Sequence, residues 1–309
     1  MMLRWVARLV LTCAPVLPTL ALAEEPSALP GQPGGDPKPD AEQAAKLVKD
    51  GRFEDAIVAA RRALQRDERY VPAMLAMAKA YHGLKKYELA TAIIDLAQKL
   101  QPDNAESYNV LGFIALSRAD IAQATANFKK ATELQPDYGN AWNTLAALYL
   151  QAKNYDPALE AAQNATRLLP KYDKAWLNLG SALRGKNMYV EAEAAYRHAL
   201  ELHADYPDAY FNLGILYLDA PQMTNFDLIG KLGKAVDFLA RYKNLAGTRL
   251  AKNDPADGYI EDARKGIDRE QKRLQRLQKQ KEREAAKKPS ADAGGGAGPG
   301  APAGKSNSP

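Results

Sequence analysis

An aromatic residue recurs with a constant period of 34 through the middle of the chain, as Tyr108, Trp142, Trp176 and Tyr210. A leucine follows each of them three residues later, and the residue after that leucine is always Gly or Ala. Two further alanine positions keep the same period, and three of the units close on a proline: Pro102, Pro136 and Pro170. A fixed period of this length means that the middle of the chain repeats one supersecondary unit.

The residues inside each unit predict helices, because the apolar positions lie three and four apart and so share one helix face. Small residues such as Gly112 and Ala131 are expected where two helices approach closely. Large residues such as Trp142 and Tyr196 are expected to fill the remaining space. One helix pair cannot bury its apolar face alone, so neighbouring pairs must stack. We therefore expect an all-α fold in which these residues are scaffold.

The repeat resembles the tetratricopeptide repeat (TPR) family, whose pattern is Trp, Leu, Gly, Tyr, Ala, Phe, Ala and Pro at fixed positions of 34. One unit reads Trp142, Leu145, Ala146, Tyr149, Ala158, Ala162, Ala165 and Pro170. The resemblance implies a right-handed α-solenoid of about six units, at 40–70, 71–104, 105–138, 139–172, 173–206 and 207–250. The last unit departs from the pattern, and an insertion of about nine residues around 221–230 would move its second helix to Ala235 and Leu239.

Residues 1–23 are typical of a signal peptide, because Arg4 and Arg8 precede an uncharged apolar stretch that ends in Ala21-Leu22-Ala23. The alternative is a lipoprotein, since Leu11-Thr12-Cys13 is similar to a degenerate lipobox in which Cys13 is acylated. Both alternatives predict export. The protein would be periplasmic, or associated with the outer membrane if Cys13 carries lipid. No apolar run reaches the roughly 20 residues of a spanning helix, so no transmembrane helix is expected in the mature chain.

The segments outside the array differ from it in composition. Residues 24–39 contain five prolines and indicate an extended linker, and 289–309 are Gly, Ala, Pro and Ser typical of a disordered tail. Between array and tail, 254–288 predicts a charged helix with i,i+4 ion pairs and a short coiled-coil-like seam. Residues 261–288 hold 11 Lys and Arg against 6 Asp and Glu. Its partner would be an acidic protein or an anionic envelope surface, while export argues against nucleic acid. The alternative is a solvated charged helix that extends or caps the array.

Residues for catalysis or cofactor binding are not apparent in the sequence. The chain has one cysteine and three histidines, and no two of these residues share a metal-ligand spacing. No nucleophile, zinc-protease or dinucleotide motif is found, and Gly304-Lys305-Ser306 lacks the first glycine of a P-loop. We expect a protein that is not an enzyme and that uses no cofactor or metal.

The TPR resemblance implies a peptide-binding groove lined by the first helix of each pair. Two positions of each unit would project into it, one and five residues after the repeated aromatic, and they are called position one and position five below. The candidates are Lys79, Asn109, Phe113, Asn143, Leu177, Ser181 and Phe211. Asn109 and Asn143 would hold a peptide backbone from outside the packing set, with apolar pockets at Phe113, Leu177 and Phe211. The alternative is that Phe113, Phe211 and Ile215 pack within the superhelix.

Together these features predict a scaffold or adaptor of a bacterial cell-envelope machine that binds envelope proteins through the groove. The segment 262–270, which follows the array, is similar to TPR lipoproteins of myxobacterial gliding motility, and this similarity implies a place in a motility complex. The alternative function is an outer-membrane assembly factor or a pilotin-like lipoprotein. A chaperone-type carboxylate clamp is disfavoured, since Lys79 is the only basic residue among the candidates.

Overall fold

This computed structural model describes residues 35–287, except for residues 222, 224 and 225. In this part the chain folds into paired α-helices, and no strand occurs in it. The predicted all-α fold is therefore confirmed. The signal peptide, residues 24–34 of the linker, the tail and Cys13 lie outside the described residues. The described helices form two compact units that divide after Pro102.

The first unit contains two helix pairs. Its helices are α1 (Lys38–Lys49), α2 (Phe53–Arg66), α3 (Val71–Gly83) and α4 (Tyr87–Leu100). Helix α1 begins two residues before the predicted start of the array at 40 and so includes the end of the predicted linker. Its core is built from small residues, with Ala44, Ala56 and Ala60 fully buried between the helices.

The second unit contains four pairs and a final helix. The pairs are α5 (Ala105–Ser117) with α6 (Ile121–Leu134), α7 (Gly139–Gln151) with α8 (Tyr155–Leu168), α9 (Asp173–Gly185) with α10 (Tyr189–Leu202), and α11 (Pro207–Asp219) with α12 (Leu228–Ala246). The final helix is α13 (Ala256–Lys287). Below, the odd-numbered helices α1–α11 are called first helices, and the even-numbered ones second helices.

Size complementarity between paired helices explains the repeated Gly and Ala positions. A Cβ atom at Gly112 would lie 2.8 Å from the ring of Phe128, and one at Gly180 would lie 2.5 Å from the ring of Tyr196. Phe128 and Tyr196 are both fully buried. The expectation that small residues mark the close approaches is confirmed, because the facing helix fills that space with a ring.

The turn inside each of the first five pairs is the same left-handed turn. The residue with positive φ recurs with the period of the repeat, as Gly51, Lys85, Ala119, Lys153 and Asn187. Its backbone N–H and that of the next residue bond back to the last turn of the first helix, as in Ala119 to Leu116 at 2.9 Å and Asp120 to Ala115 at 2.9 Å. These are the bonds of a Schellman motif, which satisfies the carbonyls at the helix end.

The last pair loses this turn because Pro221 occupies the sixth place in the series. A proline ring restricts φ to the negative range, so the left-handed turn cannot form. The connection instead covers residues 220–227, compared with three residues in the preceding pair, and α12 is longer than α10. Gly214 faces Leu239, as Gly180 faces Tyr196 in the preceding pair. Along the sequence, the distance from the glycine to its facing residue is nine residues longer in the last pair. The predicted insertion is therefore confirmed, and Leu239 replaces the facing ring.

Helix α13 has a docked part and an exposed part. Ala256, Ile260 and Ala263 are buried, and Ile260 packs with Phe211 of α11 and Leu239 of α12. The predicted helix start is supported, because Asp254 Oδ1 accepts a hydrogen bond from the Ala256 N–H at 2.9 Å. Every described side chain from residue 271 to 286 is exposed. The charged helix therefore both packs against the array and extends beyond it.

Candidate functional site

The first helices of the second unit lie on the inner side of its curved stack. Helix α7 contacts α9, and α9 contacts α11, whereas α6, α8 and α10 make no comparable contact with one another. A layer whose helices touch is shorter than a layer whose helices are spread apart, so the stack curves toward the first helices. The inner face of this unit is therefore lined by α7, α9 and α11, and α5 is the first helix that precedes them in the repeat.

The position-one residues are not the open amides that the sequence predicted. Asn109 is only 6% exposed, and its Oδ1 is buried without a hydrogen-bond partner among the described residues. Asn143 is half-buried, and its Oδ1 accepts a hydrogen bond from Nδ2 of Asn178 on α9 at 3.0 Å. The expectation that both residues stand outside the packing set is wrong. Asn109 is buried, and Asn143 faces the neighbouring first helix α9, so neither side chain is an open amide.

The two apolar position-one residues show the same enclosure. Leu177 packs against the core around Ala199 and Ala209. Phe211 is covered by the C-terminal helices, with its ring centroid 5.0 Å from that of Tyr242 and 6.4 Å from that of Tyr259. For Phe211 the alternative reading, in which it packs within the array, agrees with the structure.

Position five gives the open part of the inner face. Phe113 is 37% exposed, and its ring meets the buried ring of Phe128 edge-on at 5.0 Å. Ala147, one repeat later, is also exposed. Ser181 is half-buried, while Ile215 is packed with the first turns of α13. The apolar surface left open at this position is therefore centred on Phe113 and Ala147.

Ser181 belongs to a polar cluster on α9, α10 and α11. Its Oγ donates to the Leu177 carbonyl at 3.0 Å and accepts from the Tyr196 hydroxyl at 3.2 Å. Burial raises the pKa of Tyr196, so the phenol keeps its proton and acts as a donor. Arg184 completes the cluster and donates to Asp219 Oδ2 at 2.6 Å. These bonds join α9, α10 and α11, while Arg184 Nε is buried without a hydrogen-bond partner among the described residues.

Sequence reasoning missed Asn178, Arg184 and Asp219. The sequence contains a spacing that could have identified them, because Asn143 and Asn178 are 35 residues apart, as are Arg184 and Asp219. A spacing of one repeat plus one residue joins polar side chains on successive first helices. Lys79, the remaining candidate, lies on α3 in the first unit and is half-buried.

The exposed part of α13 is a second candidate surface. Residues 271–287 hold seven Lys and Arg and two Glu. Of the three predicted i,i+4 pairs, Glu261–Lys265 and Asp268–Lys272 are present at 2.6 and 2.7 Å. The third pair, Glu284–Lys288, includes a residue outside the described part of the chain. Leu274 and Leu277 are 42% and 41% exposed. This part is a solvated basic helix with a thin apolar stripe.

Neither a metal-binding cluster nor a membrane-spanning helix occurs in the described part of the chain. No group of three His, Cys, Asp or Glu side chains in this part is arranged to hold a metal ion. None of its helices combines the length and the apolar character that crossing a membrane requires.

Two family models match the chain. One, described as tetratricopeptide repeat, matches residues 47–112 and 115–183, and the other, described as TPR repeat, matches 180–220. Together they cover more than half of the sequence. No curated protein matches the chain.

Solved structures show the same fold at low sequence identity. YrrB, a TPR protein with an unusual peptide-binding site, is 19% identical, with a TM-score of 0.54 over 67% of this chain and 98% of its own. Pseudomonas aeruginosa pilF is 19% identical, with a TM-score of 0.58 over 69% of this chain and 93% of its own. PilW, a type IV pilus biogenesis factor, is 16% identical, with a TM-score of 0.55 over 73% and 97%.

Proposed function

The chain belongs to the tetratricopeptide repeat family, and we propose on that basis that it is a non-enzymatic scaffold that binds a peptide or partner helix on the inner face of its second unit. The TPR fold supports a role in protein–protein interaction. Within this inner face, the proposed contact lies on α5 and α7, around Phe113 and Ala147.

The exposure of Phe113 carries this proposal. It is the one aromatic residue at position five in the described array, and more than a third of its surface is open to solvent. The large apolar residues at the same two positions of later units are half-buried or covered, as Leu177 is by the core and Ile215 by α13. An aromatic ring held edge-on by a buried neighbour is a rigid anchor for an apolar side chain of a partner.

Helix α13 limits the open surface at its C-terminal end. Its first turns pack against Phe211 and Ile215, which are the repeat equivalents of Asn109 and Phe113. The inner-face positions of α11 are therefore occupied by the chain itself. A partner has access to position five of α5 and α7, where Phe113 is 37% exposed and Ala147 is exposed.

Site-specific crosslinking tests this proposal. A photoreactive residue at position 147 is expected to capture a protein from a cell-envelope fraction, whereas one at Val190 is not. Val190 is the matched control, because it is 58% exposed on second helix α10. With the captured partner purified, Ala147→Arg and Phe113→Ser should each weaken binding about tenfold or more, and Val190→Ser should not. Normal binding by Ala147→Arg would contradict the proposal.

The exposed part of α13 is proposed as a second contact, for an acidic protein. Its charge supports this, since seven basic residues on 271–287 have only two acidic neighbours in the segment. A chain that ends at Glu270 keeps the docked turns and loses the basic surface. If the contact is electrostatic, binding by the full chain should fall steeply between about 0.05 and 0.3 M salt, because the charges are solvent-exposed. Equal binding of the shortened chain would remove this part of the proposal.

We propose an exported location on the basis of residues 1–23. The intact mass of the mature protein distinguishes the two routes: cleavage after Ala23 leaves Glu24 first, whereas a lipoprotein begins at an acylated Cys13. The second outcome favours the alternative function, an outer-membrane assembly factor or pilotin-like lipoprotein. A place in gliding motility stays a prediction, and loss of gliding on deletion of the chain in its native organism would support it.

A further inference from the structure

A cavity of about 260 Å³ opens in the second unit on the side opposite to the inner face. It lies between second helices α6 and α8, which spread apart over first helix α7. Trp142, Leu145 and Tyr149 of α7 form its floor. The walls are Lys129, Thr132, Glu133, Pro157 and Glu160. Its volume is below that of an ordinary small-molecule pocket and suits a single side chain.

In the next two helix pairs, a side chain of the second helix covers the repeated aromatic residue, and this cover is missing at the cavity. The ring of Trp176, one repeat after Trp142, is covered by the imidazole of His198, with centroids 4.1 Å apart. The ring of Tyr210, two repeats after Trp142, is covered by the guanidinium of Arg241 at 5.9 Å. His198 and Arg241 hold the same repeat position once the nine inserted residues are counted. Two neighbouring pairs therefore cover the repeated aromatic with a planar side chain that can carry positive charge.

Asn164 holds that position beside Trp142, and it does not cover the indole. Its Nδ2 donates to the Glu160 carbonyl at 3.1 Å, and its Oδ1 accepts from Arg167 at 3.0 Å. The indole N–H of Trp142 donates to the Pro136 carbonyl at 2.9 Å. Among the described residues no ring or cation lies over Trp142. Trp142 is half-buried against the core of this unit, and the part of its ring that lines the cavity is available to a partner.

The charged groups at the cavity favour a cation. Glu133 and Glu160 lie on opposite walls and are both exposed. Glu133 contacts Lys130 at the limiting distance of 4.0 Å, and Glu160 forms no ion pair in the described part of the chain. Lys129 is the one basic residue in the lining, so the lining carries net negative charge.

We propose that this cavity binds an arginine side chain of a partner protein, with the guanidinium on Trp142 and its N–H groups donating to Glu133 and Glu160. A guanidinium combines the two properties that the cavity selects, since it stacks on aromatic faces and forms bidentate bonds with carboxylates. The site is separate from the inner face. The scaffold would therefore hold partners on two sides of its second unit.

Titration of the full ¹⁵N-labelled chain with N-acetyl-arginine methylamide tests the proposal. The chain has three tryptophans, so its three indole N–H signals can be assigned by single Trp→Phe variants. The Trp142 signal should shift and saturate, and the Trp176 signal should not, because His198 covers that ring. The norleucine and lysine analogues should bind at least about fivefold more weakly. Equal binding of the three probes, or no Trp142 shift, would overturn the proposal.

Variants of the cavity extend the test. Asn164→His places an imidazole where His198 lies in the next pair, so it should close the cavity and abolish the Trp142 shift. Gln163→His is the matched control on the exposed side of the same helix, and it should bind as the unmodified chain does. Glu160→Gln should weaken binding about threefold or more. Unchanged binding by Asn164→His with a native-like spectrum would overturn the proposal, whatever the outcome at the inner face.

Discussion

At the scale of the residue, the turn between paired helices carries backbone strain. A left-handed conformation costs a non-glycine residue about 1–2 kcal/mol, because Cβ approaches the following carbonyl oxygen. Only Gly51 of the five turn residues avoids this cost. Lys85, Ala119, Lys153 and Asn187 adopt the same φ because the paired helices on both sides impose the turn.

Replacing Ala119 by Gly should therefore stabilise the second unit. The side chain is exposed and φ is 59°, so the substitution relieves strain without removing a buried contact. We expect the free energy of unfolding to rise by about 1 kcal/mol, measured from the urea midpoint. Ala126→Gly on the exposed side of α6 should lower it by about 1 kcal/mol. The same sign for both variants would show that the left-handed turn is not the cause.

Adding a methyl group at a glycine that faces an aromatic ring should lower the free energy of unfolding. Gly180→Ala would place Cβ 2.5 Å from the ring of Tyr196, which is fully buried and cannot move away freely. We expect a loss of about 1–3 kcal/mol in the free energy of unfolding by urea. In Gly233→Ala of α12 the new Cβ meets nothing within 4 Å, and this control should gain about 0.5–1 kcal/mol. A gain in Gly180→Ala would contradict the packing argument.

At the scale of the element, α13 shows how one helix divides into two functions. Its first turns bury Ala256, Ile260 and Ala263 and close the apolar end of the last pair. The heptad spacing continues to Leu274 and Leu277, but no neighbouring helix of the described array reaches that far. The same spacing of apolar residues thus leads to burial in one half of the helix and to exposure in the other.

Alanine substitutions along α13 should separate these halves. Ile260→Ala removes a side chain that is 7% exposed, and we expect it to lower the free energy of unfolding by about 2–4 kcal/mol. Leu274→Ala removes an exposed side chain and should change it by less than about 0.5 kcal/mol. Thermal melting followed by circular dichroism measures both. Equal losses would mean that the second half of α13 is also packed in solution.

At the scale of the whole molecule, buried phenols predict sensitivity to alkali. Burial raises the pKa of Tyr138 from 10.0 to about 12, with the charge of Glu106 adding to the effect. Burial also raises the pKa of Tyr242 to about 12, helped by its hydrogen bond to Asp254. The pKa values of Tyr196, Tyr206 and Tyr217 are raised for the same main reason. All five lie in the second unit.

The sign of the pH effect follows from proton binding. Above pH 10 the unfolded chain loses phenolic protons that the folded chain keeps, so the stability these groups contribute is present below pH 10 and is lost toward pH 12. The urea midpoint should fall across this range, and Tyr138→Phe should make the fall shallower. The tyrosinate absorbance that this variant lacks should titrate near pH 12. A midpoint independent of pH above 10 would contradict the assignment.

The period of the repeat by itself determined the helix pairs, the buried alanines and the nine-residue insertion before Leu239. These follow from residues that keep a fixed distance along the chain, where helical geometry alone decides which side chains share a face. The resemblance to the TPR family, and not the period itself, indicated position five, at which Phe113 is open.

Only the tertiary structure decided which residues remain accessible. Asn109 and Asn143 have the residue type and spacing of groove amides, yet one is buried and the other is bonded to Asn178. The cover of Phe211 by α13 and the uncovered Trp142 are likewise decided by side chains of other helices. Accessibility depends on how closely neighbouring helices approach and on the size of the residue each presents. That distance between helices is a property of the stack, and no single repeat encodes it.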